Sequence, residues 1–187
     1  QEKMPETIAI EHSHLTLERY NQITNQFPDQ QFVDLGNTLA DIRVIKSKKE
    51  YTLLKQAAHF ADAAIEAGVS AIKEGVTELE IIATIEYEMK KQGIQQMSFT
   101  TMCLSGAKTA SPHGTPGQKE TVPGDLILSD LGVIFEGYCA DITRTVAYRS
   151  ITDEQKEMYQ TVLEANERGI AASKVGTPVN QVDLAAR

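Results

Sequence analysis

Residues 125–147, DLILSDLGVIFEGYCADITRTVA, predict two strands joined by a tight turn. Strand-forming residues fill both halves, Asp125 to Ile134 and Tyr138 to Ala147. Glu136 and Gly137 between them have the length and the composition of a two-residue hairpin loop. The stretch therefore predicts an antiparallel sheet in which Phe135 pairs with Tyr138.

Two aspartates stand inside these strands, where an unpaired carboxylate is costly. The hairpin register sets Asp130 across from Thr143, and strand alternation puts Asp141 on the face of Thr143. A loop of odd length without a bulge would separate the two carboxylates, so their convergence depends on the turn. On one face they repel each other unless a proton or a cation lies between them, and Arg144 points away from that face. A hard divalent cation would satisfy the pair; the alternative is one aspartate bonded to backbone amides and the other solvated.

A loop rich in glycine and proline, Ser105 to Gly124, precedes the hairpin and contains the run SPHGTP. His113 in this run is flanked by Pro112 and Gly114, which predicts a turn. A histidine on such a turn can reach into a cleft as a hydrogen-bond donor or a proton carrier. The alternative is an exposed loop histidine without a role.

Helix signals lie on both sides of the sheet region. Three capping boxes predict helix starts at Ser47 with Glu50, Thr77 with Glu80, and Thr152 with Gln155. Glycines predict the corresponding ends, and Thr177 followed by Pro178 predicts a last helix. The predicted helix stops are Gly75, Gly93 and Gly176, and one further strand is predicted at Met97 to Leu104.

The first 46 residues predict a strand, a helix, a strand and a connector, with too little apolar surface to fold alone. The predicted elements are Thr7 to Glu11, Thr16 to Gln26 and Gln31 to Leu35. We expect this segment to be packed on the rest or to be the tail of a smaller domain.

An internal repeat is suggested by a shift of 101 residues, which sets Ala64 to Gly75 on Ala165 to Gly176 with identities at six of twelve positions. Chance matching of two helices rich in small residues is the alternative. The first copy runs on through the strands to Tyr148, so the counterparts of these strands are expected beyond Arg187.

Composition excludes several classes of protein. The net charge is −8 and Lys and Arg do not cluster, so nucleic acid is not an expected partner. No run of about 20 apolar residues suits a membrane span, and the start lacks a secretory pattern. Cys103 and Cys139 are too few for a disulfide scaffold, so buried thiols in a reducing, cytoplasmic compartment are expected.

Three blocks, SGAKTASPHGTP, GDLILSDLG and EGYCADITRTV, closely resemble the pita-bread metallopeptidases in their order and spacing, and within them aminopeptidase P and prolidase. IKSKKEYTLLKQAA is similar to the segment that opens their catalytic domain. The resemblance implies an α+β fold. Residues 46–187 would be the first half of a pita-bread catalytic domain, and residues 1–45 the tail of a smaller amino-terminal domain.

The same resemblance implies roles for three residues. Asp130 is expected to chelate one metal ion and Asp141 to bridge two, whereas His113 matches an active-site histidine that contacts the substrate. The family's other ligands, one His and two Glu, belong to its second repeat and are expected beyond Arg187. Two divalent ions, Mn, Co or Zn with Mn favoured, are expected in the full-length parent.

The implied activity is cleavage of the bond before proline, by an Xaa-Pro aminopeptidase or dipeptidase, with this chain inactive alone. Methionine aminopeptidase shares the fold and the aspartate pair, and a non-catalytic pita-bread module would bind peptides or proteins. SDLG and the amino-terminal remnant favour the proline branch. Retention of Asp130 and Asp141 argues against the module and against a metal-free hydrolase such as creatinase. A proline-containing peptide is the expected partner, no membrane is expected, and a homodimer is left open.

Overall fold

The computed structural model describes residues 5–187, which form two compact units, one within the first 52 residues and the other Leu53–Arg187. Among the described residues, no helix has both the length and the apolar surface that crossing a bilayer requires. The first unit runs on into the helix that follows residue 47, so the predicted domain boundary after residue 45 stays a prediction.

The first unit is a strand–helix–strand arrangement with parallel strands, in which Thr7 pairs with Gln31. The strand, helix and strand predicted here are confirmed, but the predicted connector is wrong because residues 36–44 form a helix. This helix starts with the weak helix formers Gly, Asn and Thr, and its larger apolar residues, Leu39, Ile42 and Val44, do not share one face, so no apolar stripe marks it in the sequence. The elements are β1 (Thr7–Ile10), α1 (Leu17–Gln26), β2 (Gln31–Asp34) and α2 (Gly36–Val44).

Two helices, α3 (Lys48–Ala71) and α4 (Glu78–Lys91), follow, and both predicted capping boxes are present. The side chain of Thr77 accepts from the Glu80 N–H over 3.2 Å, and Glu80 accepts from the Thr77 N–H over 2.8 Å. The predicted end of α3 lies too late, because the helix stops at Ala71. Gly75 occupies the following turn with a φ of 80°.

The core of the second unit lies between these two helices and one face of the strands. Its helical part is small on α3 and large on α4, so the two helices can approach closely. A Cβ on Gly68 would lie 2.9 Å from Ile85 Cδ1, which shows how little room is left. The buried helix residues are Ala57, Ala61, Ala64, Gly68, Ile81, Ile85 and Met89.

Six short antiparallel strands build two three-stranded sheets, ordered β3-β6-β7 and β4-β5-β8. Each of the three long strands predicted from the sequence is therefore wrong in one respect: it is broken into two. The strands are β3 (Gln96–Met97), β4 (Met102–Ser105), β5 (Leu126–Leu131), β6 (Val133–Phe135), β7 (Tyr138–Cys139) and β8 (Ile142–Ala147).

The three breaks meet at Gly132. Its carbonyl accepts from the Ser98 N–H over 2.9 Å, and the Ser98 hydroxyl donates to the Ala140 carbonyl over 2.9 Å. A Cβ on Gly132 would lie 2.0 Å from the Ala140 oxygen, so only glycine allows the strands this close approach. The bend is a tertiary contact between segments 42 residues apart, which explains why continuous strand propensity did not reveal it.

The chain continues into α5 (Asp153–Ala172) and α6 (Val179–Ala186). The predicted capping box of α5 is present, with the Gln155 N–H donating to the Thr152 hydroxyl over 3.1 Å. Thr177 as the N-cap of α6 is wrong by one residue, because Pro178 holds that position without a side-chain cap.

The geometry of α5 and α6 repeats that of α3 and α4 at the spacing of 101 residues. This shift carries the last residue of α3, Ala71, onto the last residue of α5, Ala172, and the α4 N-cap onto Pro178. The contact between the helices is repeated as well, since Gly68 faces Ile85 and Gly169 faces Ala186. Chance similarity of two helices does not produce matching ends and matching contacts.

Candidate metal centre

The hairpin turn has the conformation that its two residues require. Glu136 has a φ of 49° and Gly137 a φ of 83°, so both central residues are left-handed, as in a type I′ turn. Phe135 pairs with Tyr138, as predicted. The pairing keeps the same register on both sides of the bend at Gly132, and the hairpin therefore fixes which residues oppose each other further down the strands.

Asp130 lies directly across from Thr143, which confirms the predicted register. The Thr143 hydroxyl donates to Asp130 Oδ1 over 3.0 Å, so both side chains occupy one face of the sheet. Asp141 lies in the break between β7 and β8, where the register on either side sets it opposite Gly132. The predicted position of its side chain on the face of Asp130 stays a prediction. Asp130 is half-buried and Asp141 is exposed.

No Lys or Arg in the described part of the chain forms an ion pair with Asp130 or Asp141. Arg144 pairs with Ser129 on the opposite face of the sheet and donates to the Thr143 carbonyl over 2.9 Å. Two carboxylates without a protein cation suit a hard divalent ion, which prefers oxygen ligands. Within residues 5–187, however, no group of three or more His, Cys, Asp or Glu side chains could hold a metal. The donor set therefore fits part of a metal site.

His113 lies on a turn, as predicted, because the Gly114 N–H donates to the Ser111 carbonyl over 3.1 Å. Pro112 occupies the second position of this turn, where its fixed φ is favourable. The histidine side chain is exposed. Across residues 5–187 no hydrogen bond or ion pair joins it to either aspartate.

The His113 turn nevertheless covers the sheet face that carries Asp130. A Cβ on Gly114 would lie 2.7 Å from Leu104 Cδ1, so the turn rests directly on Leu104. Leu104 pairs with Leu128, which precedes Asp130 by two residues and so shares its face. Residues of the other face, such as Cys103 and Ile127, belong to the core under the helices. Asp130 and the turn of His113 thus lie on the same side of the sheet, and Asp141 lies in the strand break next to it.

A fourth residue, Glu78, is part of this arrangement and was missed from the sequence. It is the first residue of α4, it is fully buried, and it binds the loop that carries His113. The signal in the sequence was its position three residues before Ile81, on the face that Ile81, Ile85 and Met89 bury. A carboxylate at such a position calls for donors elsewhere in the chain.

The fold and the family comparison place the chain in one class of protein, the M24 metallopeptidases. The chain belongs to metallopeptidase family M24, whose family model matches residues 52–187. Residues 1–45 match the creatinase/prolidase N-terminal domain. The chain is therefore the first half of a pita-bread fold preceded by part of the smaller amino-terminal domain, as the sequence predicted.

Three relatives show which members of this family the chain is similar to. YkvY of Bacillus subtilis strain 168, a protein provisionally named a dipeptidase, is 47% identical over 180 residues, which are 96% of this chain and 50% of that protein. The crystal structure of the X-Pro aminopeptidase from Thermotoga maritima aligns with a TM-score of 0.91 and 36% identity over 97% of this chain and 51% of that one. The prolidase from Pyrococcus furiosus aligns with a TM-score of 0.86 and 36% identity over 97% and 53%. The chain spans about half the length of the relatives it matches.

Proposed function

We propose that the full-length protein is a metal-dependent Xaa-Pro peptidase that binds two divalent ions and cleaves the bond before proline. The observation that carries the proposal is the sheet face of Asp130, on which the turn of His113 rests through Leu104. Asp141 lies at the adjoining strand break, and within residues 5–187 neither carboxylate has a Lys or Arg ion-pair partner. The names of the aligned X-Pro aminopeptidase and prolidase support the choice of proline substrates.

In this proposal, Asp130 and Asp141 are the part of the metal site that this chain supplies. Divalent ions bound there would act as Lewis acids and provide a nucleophilic water at neutral pH. The Thr143 hydroxyl, by donating to Asp130 Oδ1, fixes the carboxylate and leaves Oδ2 free to face a ligand. Further ligands would come from residues outside this chain, because two carboxylates are too few to fix two ions.

His113 would act on the substrate. Its ring is exposed on a short, hydrogen-bonded turn, so it can donate to a peptide carbonyl as negative charge develops there. The turn packs on Leu104, which pairs with Leu128, and this apolar contact separates the turn from the sheet backbone. Selection for proline would rest on the shape of the ring and on its missing N–H.

The choice of metal and of compartment is part of the same proposal. Carboxylate ligands suit Mn²⁺ better than softer ions, and we propose Mn²⁺ as the working metal. Cys103 is buried as predicted, but the prediction of a buried thiol is wrong for Cys139, which is exposed. Two free thiols suit a reducing compartment, and we propose that the protein works in the cytoplasm.

The test is reconstitution of the metal-stripped full-length protein with Mn²⁺, Co²⁺ or Zn²⁺. Each form is given an Xaa-Pro dipeptide, an Xaa-Pro tripeptide, the same peptides with alanine in place of proline, and a Met-Ala peptide. We expect metal-dependent hydrolysis of the proline peptides alone, fastest with Mn²⁺, and the two peptide lengths separate dipeptidase from aminopeptidase. Equal or faster cleavage of the Met-Ala peptide would replace the proposal with a methionine aminopeptidase.

A further inference from the structure

One buried carboxylate, that of Glu78, holds both ends of residues 105–117, the part of the loop that carries His113. The Ser105 N–H donates to Glu78 Oε1 over 2.8 Å, and the Gly117 N–H donates to Glu78 Oε2 over 2.8 Å. Lys108, in the short 3₁₀ helix between them, forms an ion pair with Oε2. The Ser105 hydroxyl also lies 3.3 Å from Oε1. The start, the first turn and the end of the loop are therefore tied to the same side chain.

Capping of α4 does not account for this carboxylate. Glu80 already accepts from the Thr77 N–H over 2.8 Å, so the helix start has its acidic partner. Glu78 is fully buried, and removing a carboxylate from water costs several kcal/mol unless donors replace the lost hydration. The donors that replace it here all belong to the loop. The buried position of the Glu78 carboxylate is therefore explained by its hydrogen bonds to the loop and not by capping of α4.

Two backbone hydrogen bonds connect Lys108 to the His113 turn. The Ser111 N–H donates to the Lys108 carbonyl over 3.0 Å, and the Gly114 N–H donates to the Ser111 carbonyl over 3.1 Å. Lys108 is thus linked to the turn through two backbone bonds, and Gly117 closes the loop three residues after Gly114. Displacement of either loop end would move the turn relative to the sheet face below it.

A second ion pair supports the same loop base. Lys119 Nζ donates to Asp125 Oδ2 over 2.7 Å and to the Ser105 hydroxyl over 3.1 Å. Ser105 therefore connects the Glu78 carboxylate to the Lys119–Asp125 pair. The Glu78 cluster, which we define as Glu78, Ser105, Lys108, Lys119 and Asp125, is a connected polar network in which breaking one member weakens the others.

We propose that Glu78 is a positioning residue that fixes the His113 turn over the face of Asp130 and thereby sets the contact of His113 with substrate. The inference deepens the proposed function and rests on it for its effect on catalysis. The holding of the loop itself does not depend on any activity.

The decisive variant is Glu78→Gln. The amide keeps the volume of the carboxylate but turns an NH₂ group toward donors at one end of the loop, so the side-chain hydrogen bonds at that end are lost. The backbone bond from the Leu79 N–H to the Gly117 carbonyl, over 3.3 Å, remains. Glu80→Gln is the matched control, because it makes the same change two residues away at an exposed position whose carboxylate accepts from Thr77 and not from the loop bonds of Glu78. In amide hydrogen exchange on this chain, residues 106–117 should exchange about tenfold or more faster in Glu78→Gln, the scale of one lost buried hydrogen bond. The exchange rates of the β5 amides should be unchanged in Glu78→Gln. In Glu80→Gln, residues 106–117 should exchange at the wild-type rate.

Kinetics of the full-length enzyme test whether Glu78 acts through His113. Glu78→Gln should lower kcat/KM on an Xaa-Pro peptide by about 10-fold to 100-fold with metal content unchanged. The same substitution in a His113→Ala background should change kcat/KM by less than about twofold, because the positioned group is gone. Equal losses in both backgrounds would show a general structural role and overturn the inference.

A second variant covers the case in which Glu78→Gln does not fold. If Glu78→Gln does not fold, Lys108→Met removes the ion pair from its half-buried side and must give the same loop-confined exchange and the same dependence on His113, at smaller scale. If the wild-type full-length protein hydrolyses no peptide, the proposed function fails, while unchanged loop exchange in Glu78→Gln is the result that overturns the holding of the loop.

Discussion

Gly132→Ala should destabilise the protein strongly, although it adds a single methyl group. The new Cβ would lie 2.0 Å from the Ala140 carbonyl oxygen and 2.2 Å from the Ser98 hydroxyl. Real Cβ atoms essentially never approach another atom closer than 3.0 Å, so the carbonyl has to retreat by about 1 Å. The retreat also breaks the bond that Ser98 donates to this carbonyl.

The magnitude follows from these two effects. Overpacking a rigid backbone contact costs about 1–3 kcal/mol, and the lost hydrogen bond costs about 1 kcal/mol more. The expected decrease in the free energy of unfolding is therefore about 2–4 kcal/mol. Because Ala140 immediately precedes Asp141, the same shift should weaken metal binding in the full-length protein.

Urea unfolding of the chain, followed by circular dichroism, measures this decrease. Gly169→Ala is the matched control, because the same methyl group meets Ala186 Cβ at an ordinary 3.5 Å inside α5. Alanine in a helix interior should stabilise by about 0.5–1 kcal/mol, so the two substitutions should have opposite signs. A Gly132→Ala protein within about 0.5 kcal/mol of wild type, the range of a neutral substitution, would refute the account of the strand bend.

Three other predictions concern His113, the metal site and the buried Cys103 thiol, the last with two measurements. In the full-length enzyme, His113→Ala should keep its metal while kcat/KM falls by about 10²-fold to 10³-fold, and metal loss would instead make His113 a ligand. Calorimetry on this chain alone should show Mn²⁺ binding weaker than about micromolar; tighter binding that Asp141→Asn abolishes would contradict the incomplete site. Burial raises the pKa of the Cys103 thiol from 9.0 to about 11, so a thiol-specific disulfide reagent near neutral pH should modify Cys139 alone, and modification of the folded Cys139→Ser chain would contradict this. In the unfolded chain the Cys103 thiol ionises at a lower pH than in the folded chain, so the free energy of unfolding should fall as the pH rises from 9.0 to about 11. A urea midpoint that does not change with pH across that window would contradict this.

The sheet face with the aspartates could be predicted because its information is local. Glu136 and Gly137 determine the length of the turn, and a two-residue turn leaves one register that sets Asp130 across from Thr143. The strand break at Gly132 could not be predicted in this way. It depends on Ser98, which lies far away along the chain, and nothing in the neighbouring residues distinguishes this glycine from one in an ordinary strand.

The other errors have physical causes of the same kind. The apolar residues of helix α2, Leu39, Ile42 and Val44, are spread around its axis, so it lacks the periodic stripe from which the other helices were predicted. The role of Glu78 could not be predicted from neighbouring residues, because its donors come from a loop 27 to 39 residues later. The repeat would have corrected the start of α6, since the shift that relates the helices sets the N-cap Thr77 on Pro178.

In the proposed Xaa-Pro peptidase, Asp130 and Asp141 bind the catalytic metal. The most direct test is elemental analysis of the full-length Asp141→Asn protein, together with its rate on an Xaa-Pro peptide. Asp153→Asn, an exposed aspartate at the start of α5, is the matched control. Wild type and Asp153→Asn should contain metal and hydrolyse the peptide, whereas Asp141→Asn should lose both. An Asp141→Asn protein with wild-type metal content and activity would contradict the assignment of this face as the metal centre.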